Sequence, residues 1–304
     1  MRLRPVPAVL LVFATALLPA RPAAPSQAAP AGPVHYQDQI AVLTYHDVSP
    51  TVPRGTDTVS PQEFAGEMNL MLGEGFHFVS VPELERFVSE GAPVPPNAVC
   101  VVFDNGYAGI YSYALPILEE HRIPAAVFLI VANVGRISHD FTWSQIKAMG
   151  QTGLVRFYTE TYDLHRGIGI GGGATTAATV GVAVLPDGSR ETDGAYRQRV
   201  SSDLVKARTI VEREVGQPVD AMVYPYGQYT PELIAIANDA GYRYLFTTIG
   251  WTVGRHSDPN RLPRLDIGVW DQTPAGAAGA VLGTAARAGQ GTFSLPASYV
   301  RVWK

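Results

Sequence analysis

The sequence contains a single cysteine, Cys100, in 304 residues, so an intrachain disulfide is impossible and stability has to come from a packed core. Charge is scarce too. Only 16% of the residues are Asp, Glu, Lys or Arg, and 23 basic against 27 acidic side chains leave a formal net charge of -4. That balance lacks the basic surplus that grips phosphate backbones, so the expected partners exclude nucleic acid, and a neutral or positively charged polymer suits the chain better. A membrane span is also missing: the apolar run Val6 to Ala20 falls short of the roughly 20 residues a bilayer requires and contains Pro7 and Pro19. Arg2 and Arg4 precede this run, and small-residue cleavage candidates follow it around Ala23 to Ala29. The order reads as a secretory signal peptide over residues 1–29, a single domain over 30–304 and a product that is secreted or associated with the cell wall. No cysteine follows the run, which leaves a lipid anchor unsupported, and Cys100 itself, inside the apolar stretch Ala98 to Phe103, reads as a small buried hydrophobe without chemistry.

Hydrophobic residues make up 46% of the chain, and from Tyr36 onward apolar β-rich runs alternate with segments of helical period. Strands are expected at Ile40 to Thr44, Phe78 to Val81, Val99 to Phe103, Ala125 to Val131, Leu154 to Tyr158, Ala221 to Tyr224 and Tyr244 to Thr247. Their near-continuous hydrophobicity suits parallel strands covered on both faces. Tyr196, Val200, Leu204, Val211 and Val215 form one apolar stripe of a helix that ends at Gly216, and further helices are expected at Gly109 to His121 and from Trp143. Seven or so such units suggest an α/β barrel. The glycine-rich segment Gly167 to Thr179 has little side-chain volume to anchor it and reads as a mobile loop; no Lys-Ser or Lys-Thr pair follows to make it a phosphate cradle.

Polar residues gather where these strands end: Tyr45-His46-Asp47, then Asp104-Asn105-Gly106-Tyr107, then Glu160 with Asp163 and His165, then Tyr226-Gly227. In a barrel, the carboxyl ends of the strands are where loops converge on a substrate. Singly, each is better explained as a helix cap or a turn. Recurrence at successive strand ends favours a shared site.

The series YHDV, VVFDNGY, TETYDLH and VYPYGQY resembles the polysaccharide deacetylases that share the NodB homology domain, carbohydrate esterase family 4, over roughly Ile40 to Asp266. It is most similar to the branch that acts on exported poly-N-acetylglucosamine, and the intervening YALPILEEHRIPAAVFLI fits as well. The resemblance implies a distorted, TIM-barrel-like (β/α) barrel of seven or eight units. It also implies a divalent metal, zinc in most members, and hydrolysis of N-acetyl groups from a polysaccharide that contains N-acetylglucosamine. By position, Asp104 is the catalytic base, Tyr226 offers its backbone N–H to the oxyanion, and His46 lies nearby to orient substrate or base. The metal ligands fall on Asn105, Glu160 and His165, and Tyr107 and Pro225 fall among the substrate-binding positions.

Two ligand positions depart from the family pattern. Asn105 stands where relatives carry Asp, and Glu160 where they carry His. One carboxylate, one amide and one imidazole carry the same formal charge as one carboxylate and two imidazoles. An amide oxygen is nevertheless a weak donor, so zinc affinity is expected to fall and manganese, cobalt or magnesium become candidates. The late His that serves many members as general acid is also absent, since no His follows His256, and Val223 replaces the Arg of the third motif. Asp266 matches an acidic position near the catalytic residues, with a surface ion pair to Arg264 as the alternative. The leading expectation is a deacetylase with an altered ligand set, ahead of a catalytically impaired relative that binds carbohydrate. A glycoside hydrolase using Asp104 and Glu160 as its carboxylate pair comes last.

Overall fold

Six apolar runs become the parallel strands around which the chain folds. The computed structural model describes residues 33–52, 57–267 and 274–288, so the expected signal peptide lies outside the described residues. The strands, in chain order, are β1 (Gln39–Tyr45), β2 (Asp47–Val48), β3 (Thr58–Val59), β4 (His77–Phe78), β5 (Ala98–Asn105), β6 (Ala125–Ile130), β7 (Val155–Thr161), β8 (Gly167–Gly171), β9 (Ala174–Ala177), β10 (Ala221–Val223), β11 (Tyr244–Phe246), β12 (Val253–Gly254) and β13 (Leu265–Asp266). The helices are α1 (Pro61–Gly73), α2 (Val81–Glu90), α3 (Leu115–His121), α4 (Trp143–Gln151), α5 (Asp193–Val215), α6 (Pro231–Asp239) and α7 (Pro274–Ala288).

The main sheet runs β11-β10-β7-β6-β5-β1-β12, with β4 also on β5 and β13 also on β1. Every pairing in it is parallel except β1 with β12. A short segment then joins the two edges. Leu262 bridges Phe246 at the β11 edge, and three residues on, Leu265 and Asp266 pair with Leu43 and Thr44 of β1. The sheet thereby curls into the distorted (β/α) barrel that the resemblance implied. Residues of β5 and β6 are buried throughout, because helices cover the outer face and aromatic side chains such as Phe103, Phe128 and Tyr158 fill the space between layers.

Local chemistry sets the helix limits. Ser60, Ser80 and Thr142 each form a capping box with the residue at the third helical position. Helix α5 begins at the Thr192 cap, buries Tyr196, Val200, Leu204, Ala207 and Val211, and stops at Gly216 in the left-handed region. The expected stripe is therefore correct, except that Val215 is only partly buried. The glycine-rich segment differs from expectation: it forms the antiparallel hairpin β8–β9. Gly171, Gly172 and Gly173 all take positive φ at its turn, and the Gln228 side chain accepts hydrogen bonds from Ala177 N and Thr176 Oγ1 at 3.1 Å each.

Away from the strand carboxyl ends, Glu85 of α2 is held against the Tyr158 hydroxyl, 3.4 Å away. Burial, reinforced by the nearby Asp220 carboxylate, pushes its pKa from 4.5 up to about 7. Below about pH 7 the folded protein therefore holds a proton that the unfolded chain takes up only near 4.5. This group makes the fold more stable as pH falls from about 7 toward 4.5, and its cost is fully present above that window. Glu85→Gln is expected to remove that part of the pH dependence from urea unfolding midpoints measured between pH 5 and 8, while an unchanged slope would assign it to other groups.

Candidate active site

One or more residues from each strand-end group meet at one end of the barrel, while Tyr45 turns into the core, where its hydroxyl donates to Glu67. The turn after β5 presents two adjacent side chains in different directions because Asn105 has φ 69° and Gly106 has φ 94°. Asn and Asp both tolerate the left-handed region, so either fits this backbone. Glycine suits position 106 because φ 94° strains an L side chain, and a Cβ there would also press on Leu129 Cδ2 at 2.8 Å.

Asp104 and Arg264 form the first buried pair. Arg264 is 2% exposed, and its Nη1 donates to Asp104 Oδ1 at 2.8 Å while its Nε donates to the Thr247 carbonyl at 2.9 Å. Arg264 is thus not the surface partner of Asp266 that the sequence allowed. Asp266 instead lies beside His46, with 3.9 Å between its Oδ1 and the imidazole Nδ1. Burial raises the Asp266 pKa, opposed by the attraction of His46 and Arg264.

Glu160, Asn105 and His165 form the third group. Asn105 Nδ2 donates to Glu160 Oε2 at 2.8 Å, and Glu160 Oε1 lies 3.3 Å from His165 Nε2. Burial and the adjacent Asp104 charge drive the Glu160 pKa well above the ordinary carboxylate range. Burial lowers the pKa of His165, which favours the neutral imidazole that ligates metals. The Tyr226 ring stacks on His165 with centroids 4.4 Å apart. Tyr226 is 49% exposed, with φ 57° in the short turn after β10, while Pro225 beside it is buried. Tyr107, partly buried, lines the cavity next to Asn105 and His165, and Pro225 does not.

The loop that carries His165 is fixed from α5. Asp203 accepts the backbone N–H groups of Tyr162 and Asp163, both at 2.8 Å, and Thr161 Oγ1 accepts from Leu164 N at 3.1 Å. Periodicity marked only the apolar stripe of α5. Asp203 escaped notice because one polar residue on a partly exposed helix face gives no sequence signal. Arg264 left a faint mark, a cation between Leu262 and Leu265 in the segment RLPRLDIG.

Sequence and structure comparisons agree with this geometry. A family model described as polysaccharide deacetylase matches residues 91–245. The chain belongs to the polysaccharide deacetylase family. Among its relatives, poly-β-1,6-N-acetyl-D-glucosamine N-deacetylase of Staphylococcus epidermidis is 26% identical over 68% of this chain and 67% of its own length. The Escherichia coli protein of the same name is 28% identical over 57% of this chain but only 28% of its own length. The solved structure of IcaB from Ammonifex degensii superposes with a TM-score of 0.68 at 26% identity, covering 82% of this chain and 98% of that one. A de-N-acetylase from Aggregatibacter actinomycetemcomitans shows the same fold, with a TM-score of 0.72 at 23% identity over 80% of this chain and all of that one.

Members of this deacetylase family imply a divalent cation, and the donor chemistry can be tested against one. Among the described residues no three His, Cys, Asp or Glu side chains converge as a metal-binding group, and the side chain that joins Glu160 and His165 is the Asn105 amide. Glu160 is buried with only an amide and a neutral imidazole as close partners, because Arg264 is engaged by Asp104. A buried carboxylate in that position gains from a cation. The set Asn105, Glu160 and His165 therefore fits a divalent ion in charge and donor count, as a weak, oxygen-rich site, once the amide turns its oxygen inward.

The buried pair between Asp104 and Arg264 makes a measurable demand. Arg264→Met is expected to destabilise the fold by about 3–5 kcal/mol, because it strands a buried carboxylate. Adding Asp104→Asn to that variant should recover most of the loss in a urea double-mutant cycle; strictly additive losses would show that the two side chains do not depend on each other.

Proposed function

We propose that the chain hydrolyses N-acetyl groups from an extracellular or cell-wall polysaccharide of the poly-N-acetylglucosamine type, as a secreted protein whose residues 1–29 are removed. The observation that carries this reading is the pair of dyads, Asp104 with Arg264 and His46 with Asp266, facing one cluster around His165. His165 senses both the Asp104 charge and the His46 imidazole, so both dyads reach the same space.

The roles follow from these positions. Asp104, held in place by Arg264, takes the proton of the attacking water as its oxygen bonds to the acetamide carbon. The backbone N–H of Tyr226 is directed to the carbonyl oxygen as negative charge develops there. His46, whose Nδ1 lies 3.9 Å from the Asp266 carboxylate, gives a proton to the amine nitrogen as the carbon–nitrogen bond breaks, leaving acetate and a free amine. This assigns the general acid to a histidine near the start of the domain, where the sequence offered none near its end. Asn105, Glu160 and His165 would hold a divalent cation, which supplies a polarising charge for the carbonyl and the water. Such a weak set suits manganese, cobalt or magnesium as well as zinc.

A second reading, a carbohydrate-binding relative without catalysis, draws support from the Asn105 amide donating to Glu160, which leaves two ligand positions bonded to each other. The discriminating measurement is metal content by mass spectrometry together with acetate release from β-1,6-linked N-acetylglucosamine oligomers, with each cation added in turn. Bound metal and acetate release that falls about 10²- to 10⁴-fold in Asp104→Asn support the enzyme; oligomer binding with neither metal nor acetate supports the second reading. Restoring the family ligands with Asn105→Asp and Glu160→His together is expected to tighten zinc binding, measured by competition with a chromogenic chelator. An unchanged zinc affinity would remove these two positions from the ligand set.

A further inference from the structure

A cavity of about 200 Å³ opens beside Asn105 and His165, between the loop after β6 and the loop after β7. It is smaller than the ~300–1,000 Å³ of pockets for drug-sized ligands, a size that suits one monosaccharide unit. Tyr107 lines it, and the His139 imidazole stacks on the Tyr107 ring with centroids 5.6 Å apart and planes 20° apart.

Asp140 lines the same cavity and is 5% exposed. Its Oδ1 has no hydrogen-bond partner. His139 covers that oxygen, with Nε2 3.5 Å away, and the His139 side chain is 67% exposed, so a ligand donor reaches Oδ1 by displacing this imidazole from the Tyr107 ring. The backbone around Asp140 is held firmly. Phe141 N donates to the Gly106 carbonyl at 2.9 Å, Ala108 N donates to the His139 carbonyl at 2.8 Å, and Tyr107 and Asp140 form an antiparallel bridge. A carboxylate kept buried and incompletely bonded, a few residues in space from the reacting centre, is suited to a donor brought by a ligand.

We propose that this cavity holds the sugar next to the one being deacetylated, and that Asp140 selects there a glucosamine unit that has already lost its acetyl group. The proposal rests on the deacetylase reading of the adjoining site. Its chemistry follows from charge. The Asp47 carboxylate at the start of β2 adds negative field at Asp140, while Arg166 and Asp163, which also line the cavity, carry opposite charges. An ammonium group brings three donors and a positive charge to the unpartnered oxygen, where an acetamide brings one donor and a methyl group. The amine released by one turnover is then the recognised neighbour of the next, so deacetylation extends along the polymer in runs.

The test titrates the full chain by calorimetry with two probes, a β-1,6-linked glucosamine trimer and its fully N-acetylated counterpart. The wild-type chain is expected to bind the glucosamine trimer about tenfold more tightly, a preference that shrinks as salt rises from about 50 to 500 mM. Asp140→Asn is expected to lose that preference while keeping its affinity for the acetylated trimer within about twofold. The salt series on the wild-type chain needs no variant and stands if Asp140→Asn does not fold. Equal binding of both trimers by the wild-type chain, or a preference that survives in Asp140→Asn, would overturn the proposal. Acetate release without any preference removes the subsite and leaves the deacetylase reading intact; an Asp140-dependent preference without acetate release does the reverse.

Discussion

The buried ion pair between Arg264 and Asp104 is the contact on which the barrel and its candidate chemistry both depend. Arg264 sits in the short segment that bridges the β11 edge and β1, so its guanidinium enters the barrel only because that segment closes the sheet. Once inside, it satisfies Asp104 and the Thr247 carbonyl together. Neither charge could be left alone at such depth without a cost of several kcal/mol. Closure of the sheet and the state of the candidate base are therefore one physical problem with one solution.

The remaining charges arrange themselves around that pair. With Arg264 committed to Asp104, Glu160 has to rely on an amide and an imidazole, and burial pushes it toward its neutral form. In the proposed ligand set, a carboxylate stands on a different strand from the family's and an amide takes its old place. Formal charge is conserved, but donor strength is not. The supports around this group are conventional by contrast. Asp203 clamps the backbone before His165, and the Tyr226 ring covers the imidazole from the solvent side, so His165 is held in place whether or not an ion is bound.

Much of this was legible in the sequence where the signal is local. The apolar runs of β1, β5 and β6 and the stripe of α5 appear where periodicity put them, and the four strand-end motifs do share one site. The segment from Gly167 was misread because composition reports the flexibility of a free chain. Three successive glycines supply the turn of a real hairpin, and Gln228, some fifty residues later, ties it down.

By itself, then, the sequence determined the alternation of strands and helices, the family, and the identity of the side chains at each strand end, because propensity, burial pattern and motif spacing are written within a few residues of one another. Which side chain answers which was decided only by the tertiary structure. Arg264 reaches Asp104 across 160 residues of chain, and Asp266 lies beside His46 rather than its near neighbour Arg264. Those partners follow from the closure of the sheet, which brings β13 against β1, and no local spacing encodes a contact made by the far end of the chain.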